Sequence, residues 1–474
     1  MKNSGIITLV AVGMLALSLA ACEISSTNED PNRATTARTQ NLLTHAQVNL
    51  VYGFGGDISQ YNSVLMQQMA GTERIHLDVS RYNFSSGIAG AVWDRNLYSG
   101  GMNNLHILIN QATEEEAFHH RGVAKIMMAY ALGQTSSLWN NIPYTEAFQG
   151  SANTAPAYDS GEDIYGIVQD LLTEGIEDLG RTPNPRFVLG NEDVIYRGDR
   201  QRWIRAARAL SARFHNHLSK IDPQGSANAV LDALNAGAIA SNADNMRIEF
   251  GGEASDANPW HNHETSAFGT NTMLGEFYVD LLLSIDDPRL PFFAATNSDG
   301  DYVGSPAGSA VTDRGEFSEL GSYYASTDGP FNFITYAEVE FIRAEAHYRL
   351  SQFNNAATAM NNAIIASLED VTGTADPDYV AAQASEDATS IQAGGFERLM
   401  THKYVALFLE PEVFSDWRRT GIPNLTPANP NLTNDVIPRR WPYPANEIAT
   451  NAANVQAASQ GGASITDRVW WDVP

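Results

Sequence analysis

The run from Ile334 to Leu368, ITYAEVEFIRAEAHYRLSQFNNAATAMNNAIIASL, limits the folds open to this chain more than any other stretch. It holds two helical patterns joined by a short polar turn. Small or aromatic residues recur in a repeat-like pattern at Ala344, His347, Ser351, Ala356, Met360 and Ala363. Small side chains on facing helices let the two backbones approach closely, which fits an antiparallel helix pair. The rest of the chain agrees. Leu42, Leu43, Ala46, Val48 and Leu50 suggest a first helix, residues 58–70 a second and residues 92–112 a third. FHHRGVAKIMMAYALGQTSSLW places Val123, Ile126, Met127, Tyr130 and Ala131 at helical spacing. Residues 163–179 and 200–218 read as further amphipathic helices, and strand signal is sparse. The expected fold is mostly α.

The spacing within 334–368 matches the tetratricopeptide consensus. One good match among weaker helix pairs predicts an irregular helical solenoid rather than a regular array. Residues 251–333 differ. Gly, Ser, Asn and Asp dominate there, interrupted by Trp, Tyr and Phe. Turn residues carrying aromatics suit a loop-built, ligand-binding layer. Residues 37–474 are therefore expected to form one domain, with 251–333 as its variable segment.

The N-terminus carries a different signal. An apolar run from Ile6 to Ala21 follows Met1-Lys2 and ends in Leu19-Ala20-Ala21-Cys22. It falls short of the ~20 apolar residues that a membrane span needs, and it reads as a secretory signal, residues 1–21. Cys22 is the chain's sole cysteine, so no intrachain disulfide forms. The flanking residues resemble a bacterial lipobox, in which the cysteine after the cut carries lipid. Residues 22–36 then act as a lipidated tether.

The formal net charge is −26, and removing residues 1–21 with Lys2 makes it −27. Such a surface repels nucleic acid and anionic headgroups. Only Lys2, Lys125, Lys220 and Lys403 are lysines, so 25 of the 29 basic residues are arginine. High acid with little lysine fits a saline habitat, and a GC-rich genome explains it equally well.

The blocks FITYAEVEFIRAEAHYRL, HKYVALFLEPEVFSDWRRTGIPNL, IPRRWPYPANEIATNAANVQAA and DRVWWD resemble those of the SusD/RagB family of surface lipoproteins of Bacteroidota. NEDPN behind the cysteine and SSLWNNIPYTEAF at 136–148 agree. The resemblance implies four tetratricopeptide-like helix pairs packed against a variable ligand-binding part. It also implies a lipid-anchored outer-membrane protein at the cell surface, partnered by a SusC-like TonB-dependent transporter. Such a protein captures oligomeric nutrients, glycans more often than peptides, and is not an enzyme. The acidic residues after Cys22 match the family's export signal only loosely, so the surface location rests on the family. SDWRRTGIP and IPRRWPYP read as structural: Arg418 and Arg419 can pair with Asp416 or Glu412, and Glu345 with Arg349 as a pair on a helix face.

Sugar capture uses aromatic faces for ring C–H groups and polar side chains for hydroxyls. Two regions hold both. ERIHLDVSRYNF offers Arg74, His76, Asp78, Arg81 and Tyr82; the central loops offer Trp260, His261, Tyr302, Tyr323 and Tyr324, with Trp260 as the expected stacking ring. The resemblance favours the same two places without fixing residues. His261 and His263 in HNHE lack further ligands for zinc, and His119-His120 reads as a solvated helix face. Asn297, Asp299 and Asp301 alternate as in calcium loops, but the loop's glycine and terminal Glu are misplaced, so no cofactor is expected, with calcium the residual possibility. The alternatives are a peptide-binding member of the family, a secreted glycosidase with two carboxylates, or a structural adhesin. No GxSxG, HExxH or P-loop occurs.

Overall fold

The computed structural model describes residues 37–459 and 463–474. Cys22, the expected signal and the tether lie outside the described residues. In chain order the principal helices begin with α1 (Thr39–Tyr52), α2 (Ser59–Leu65), α3 (Arg74–Ser80) and α4 (Asn103–Glu114). There follow α5 (Phe118–Trp139), α6 (Gly161–Gly180), α7 (Arg200–His217) and α8 (Pro223–Asn235). The variable segment carries α9 (Pro259–Thr265) and α10 (Glu276–Ser284). The C-terminal part holds α11 (Tyr336–Arg349), α12 (Phe353–Thr372), α13 (Gly395–Ala406) and α14 (Glu412–Thr420). Among the described residues no helix is long and apolar enough to cross a membrane.

Four pairs build the solenoid. The wide π-helical turn Val92–Met102 and α4 pack on α1, α5 on α6, α7 on α8, and α11 on α12. Each pair leans on the next through α4–α5, α6–α7 and α8–α11. The irregular tetratricopeptide-like solenoid is thus the observed architecture. Its close approaches follow from sequence. On α12 the buried residues include Ala356, Ala359, Met360, Ala363 and Ile364, which share a core cluster with Phe341 and Ala344 of α11. Where α5 crosses α6, a Cβ on Gly122 would stand 2.8 Å from the Gly175 carbonyl oxygen. The helices begin on polar caps: Ser160 accepts from the Asp163 amide, Asp199 from Gln201 and Arg202, and Thr335 from Glu338.

Two small antiparallel pairs lock the variable segment to this frame. β1 (Met69–Gly71) pairs with β3 (Thr272–Leu274), and β2 (Met246–Ile248) with β4 (Phe331–Ile334). The helix expected over 58–70 therefore ends at Leu65. Gln67 takes a left-handed φ of 58°, and the chain turns into β1. A π-helical turn at Gly53–Ile58 precedes α2. Residues 251–333 are less loop-like than expected, since α9, β3, α10 and most of β4 fall within them.

A buried ionic cluster joins α7, α11, α13 and α14. Arg213 donates Nε to Glu338 at 2.7 Å, His217 lies 2.6 Å from Glu412, and Lys403 lies 2.7 Å from Asp416. Glu345 accepts from Asn216 and Arg419, both at 2.9 Å, and from Arg349 at 2.6 Å. Burial alone pushes the Glu345 carboxyl up; Arg419 and Arg349 overcome this and hold it well below the usual range. The expected pair of Glu345 with Arg349 forms, but Glu345 is fully buried and Arg419 shares it. Arg419 pairs with Asp416 as expected. Arg418 instead donates to the backbone carbonyls of Ser137 and Arg439. His119 and His120 do not form a solvated face: both are buried, His119 against the Arg181 carbonyl and His120 against Glu192 at 2.7 Å.

Candidate functional site

The first candidate region is presented by α3. Gly71 ends β1, and a Cβ there would lie 1.9 Å from the His76 carbonyl oxygen, so only glycine lets the strand fold back onto α3. Arg74 opens the helix at a left-handed φ of 48°. One side of α3 is then exposed, with Arg74, Ile75 and Asp78 on it, and Arg81 follows, half-buried. The Arg81 Nε donates to the Gly308 carbonyl at 2.8 Å, and the Gly308 amide donates to Ser80 Oγ. These bonds clamp the 305–308 segment against α3.

The other side of α3 rests on α9. Asn258 accepts from the Trp260 amide and Pro259 sits in the first turn, which starts α9 and turns Trp260 inward. Trp260 is 3% exposed and donates its indole N–H to Ser59 Oγ at 2.9 Å. His263 lies below His76 with ring centroids 4.9 Å apart. Burial lowers both imidazoles, His76 to about 3 and His263 to about 4, so both are neutral at physiological pH. Beside them burial raises Glu264 to about 7 against the pull of Arg314.

The ten sequence-predicted residues therefore separate. Arg74, Asp78 and Arg81 share one accessible face. His76, Tyr82, Trp260 and Tyr324 are corrected to interior positions. His76 meets Gln60 and Tyr82 accepts from the Ala428 amide, while Tyr324 packs on Phe293 and Phe408. Their rings cannot meet a ligand face-on. His261 is half-buried, its Nδ1 2.8 Å from the Ala325 carbonyl oxygen. Tyr302 packs partly on the core, and the Tyr323 hydroxyl lies 3.4 Å from Asp370. HNHE is helical, not a strand, which sends alternate histidines to different sides. Asn297 Oδ1 accepts from the amides of Asp299 and Asp301, an ordinary side-chain-capped turn.

The sequence reading missed the aromatic that this face does expose. Phe268 is 55% exposed, and the Arg74 guanidinium sits 5.8 Å from its ring centroid. Its signal was its isolation. Glu264, Thr265, Asn271 and Thr272 stand three and four residues away, so no helical apolar stripe claims the ring. Nearby, a cavity of about 430 Å³ opens between α10 and the 305–307 segment. Glu276, Phe277 and Asp280 line one wall, Gln67 and Thr426 the other. Ala307, next to the Gly308 that Arg81 holds, belongs to the same lining. Chemically the region pairs an exposed ring beside a guanidinium with a mostly apolar cleft that carries two carboxylates, Glu276 and Asp280, and the polar side chains of Gln67, Ser284, Ser305 and Thr426.

A family model described as "Starch-binding associating with outer membrane", SusD-like, matches residues 31–444. No curated protein matches the chain in sequence. Solved structures do match. A SusD/RagB family protein from Bacteroides thetaiotaomicron is 21% identical, with TM-score 0.79, covering 92% of this chain and 99% of its own. A chitin-binding SusD homologue from Flavobacterium johnsoniae is 21% identical with TM-score 0.76, covering 92% and 97%. A protein described as chitin-binding is 23% identical with TM-score 0.78, covering 92% and 100%. With the family model spanning most of its length and its helix pairs arranged as described, the chain belongs to the SusD-like family.

Proposed function

We propose that this chain is a non-catalytic receptor that captures an oligosaccharide on the face formed by α3, Phe268 and the α10 cavity. It would hold the glycan for a SusC-like TonB-dependent transporter, anchored by lipid on Cys22 at the outer surface of the outer membrane. The observation that carries the reading is Phe268. An exposed ring beside Arg74 gives sugar C–H groups a stacking surface, while Asp78, Glu276 and Asp280 accept from hydroxyls. The family description names starch and the outer membrane, and two structural relatives are described as chitin-binding; both support a neutral glycan. Titration calorimetry with hexasaccharides of glucose and of N-acetylglucosamine tests the proposal. Saturable heat with no shorter product after prolonged incubation is expected. Shorter products would indicate a glycosidase, and binding of peptides alone would indicate the peptide-capturing alternative.

A further inference from the structure

Phe268 is carried by residues 266–271, the link between the end of α9 at Thr265 and the start of β3 at Thr272. A ring on a loose link loses conformational freedom when it stacks, and that loss subtracts from affinity. A stacking ring therefore gains from being held in place before the ligand arrives.

Part of the hold is local. The Phe268 amide donates to Ser266 Oγ at 3.0 Å, and the Gly269 amide to the Ser266 carbonyl at 3.2 Å. A Cβ on Gly269 would stand 2.0 Å from the Glu264 carbonyl oxygen, so the link folds this tightly only with glycine there. Thr72, just after β1, donates its hydroxyl to the Thr270 carbonyl at 3.0 Å and its amide to the Asn271 carbonyl at 2.8 Å.

The rest of the hold comes from far along the chain. Arg314 Nη1 donates to the Thr270 carbonyl at 2.6 Å and to the Thr272 carbonyl at 3.3 Å. Its Nη2 reaches the Gly269 carbonyl at 3.5 Å and donates to Glu319 at 2.9 Å, which orients the fork. Three backbone oxygens of one short stretch, met by one planar group, suit guanidinium better than ammonium, which is a single point of charge. Arg314 is itself braced. Asp313 caps its turn by accepting from the Gly315 amide at 2.9 Å. The Ser298 amide donates to the Gly315 carbonyl at 2.9 Å, and Asn297 Nδ2 to the Glu316 carbonyl at 3.2 Å. The 297–301 turn thus supports the base of Arg314.

We propose that Arg314 is a positioning residue of the capturing face: its guanidinium fixes the 266–271 link so that the Phe268 ring is set for stacking, and it acts on the ligand only through that ring. The inference rests on the reading of Phe268 as the stacking ring, and its test keeps the two apart.

Hydrogen exchange on the free full chain gives the first readout. Arg314→Ala should speed exchange of the amides in residues 266–271 by at least about tenfold, with the helix pairs unchanged. Calorimetry with the hexasaccharides of glucose and of N-acetylglucosamine gives the second. Arg314→Ala should weaken binding about tenfold. Arg314→Lys, which keeps the charge but not the fork, should fall between that variant and the parent. In the Phe268→Ala background, Arg314→Ala should change affinity by less than about twofold, because the ring it positions is gone. Thermal melting confirms that each variant folds. Unchanged exchange in 266–271, full affinity in either Arg314 variant where Phe268→Ala weakens binding, or equal losses with and without the ring would overturn the inference and leave the stacking ring standing. A Phe268→Ala variant with parental affinity, or no binding of either sugar, would instead retire the stacking reading and the inference with it.

Discussion

At the scale of single residues, Trp260 and Phe268 stand in similarly polar sequence surroundings and end in opposite places. Trp260 stands among Asn, Pro and His, which reads as a loop. That polar neighbourhood is the N-terminus of α9, and its first turn buries the indole beside Ser59. Phe268 lies in an equally polar stretch and stays in solvent. Composition does not separate the two; cap chemistry does, since an Asn-Pro start fixes which way the next side chain faces. Trp260→Ala should therefore cost about 3–5 kcal/mol of stability, as large aromatic truncations in a core do. Phe268→Ala should leave stability within about 0.5 kcal/mol, as surface substitutions do, yet weaken glycan binding by about 1–3 kcal/mol if the ring is the anchor. Urea denaturation and calorimetry on both variants check the pair of expectations.

At the scale of elements, most of the helices are legible because each buries one periodic face. The apolar stripe of α5 and the small-residue spacing of α11 and α12 fix those helices from sequence. What periodicity does not show is where a helix stops for a tertiary reason. Residues 69–71 carry a helix-compatible sequence, and pairing with β3, about two hundred residues away, makes them a strand. His119 and His120 look solvated because their partners, Arg181 and Glu192, are distant in sequence. The contact of α5 with α6 is testable directly. Gly175 leaves room for Ile126, whose Cγ1 would stand 2.8 Å from a Cβ there. Gly175→Val should destabilise the chain by about 1–3 kcal/mol through overpacking. An unchanged urea midpoint would show that the two helices are not held this closely.

At the scale of the whole molecule, four helix pairs carry the variable segment, and a buried ionic cluster ties the third and fourth of them, through α7 and α11, to α13 and α14. Glu345 is its centre, reached from α7, α11 and α14. Its carboxyl titrates below the unfolded value of 4.5, so its contribution to stability is complete above that pH and is lost as pH falls further. The parent should lose stability below about pH 4.5, and Glu345→Gln should show a shallower loss. At neutral pH the variant should be weaker by about 3–5 kcal/mol, because Arg419 and Arg349 lose a buried counter-charge. Parallel stability curves would mean that the cluster adds nothing at acid pH.

The scaffold and its family were readable in blocks such as ITYAEVEFIRAEAHYRL and SDWRRTGIP, because the buried ion pairs and small-residue contacts need those residues in that order. The ligand face was readable in part: Arg74, Asp78 and Arg81 share it. Phe268 and the α10 cavity arise only when β1 meets β3 and the 305–308 segment closes on Arg81. Hydrogen exchange with and without a saturating neutral hexasaccharide tests the central claim most directly. Protection is expected in residues 73–81, 266–271 and 276–284, with the helix pairs unchanged. Protection elsewhere, or none in those three segments while the sugar is bound, would contradict the assignment of the capturing face.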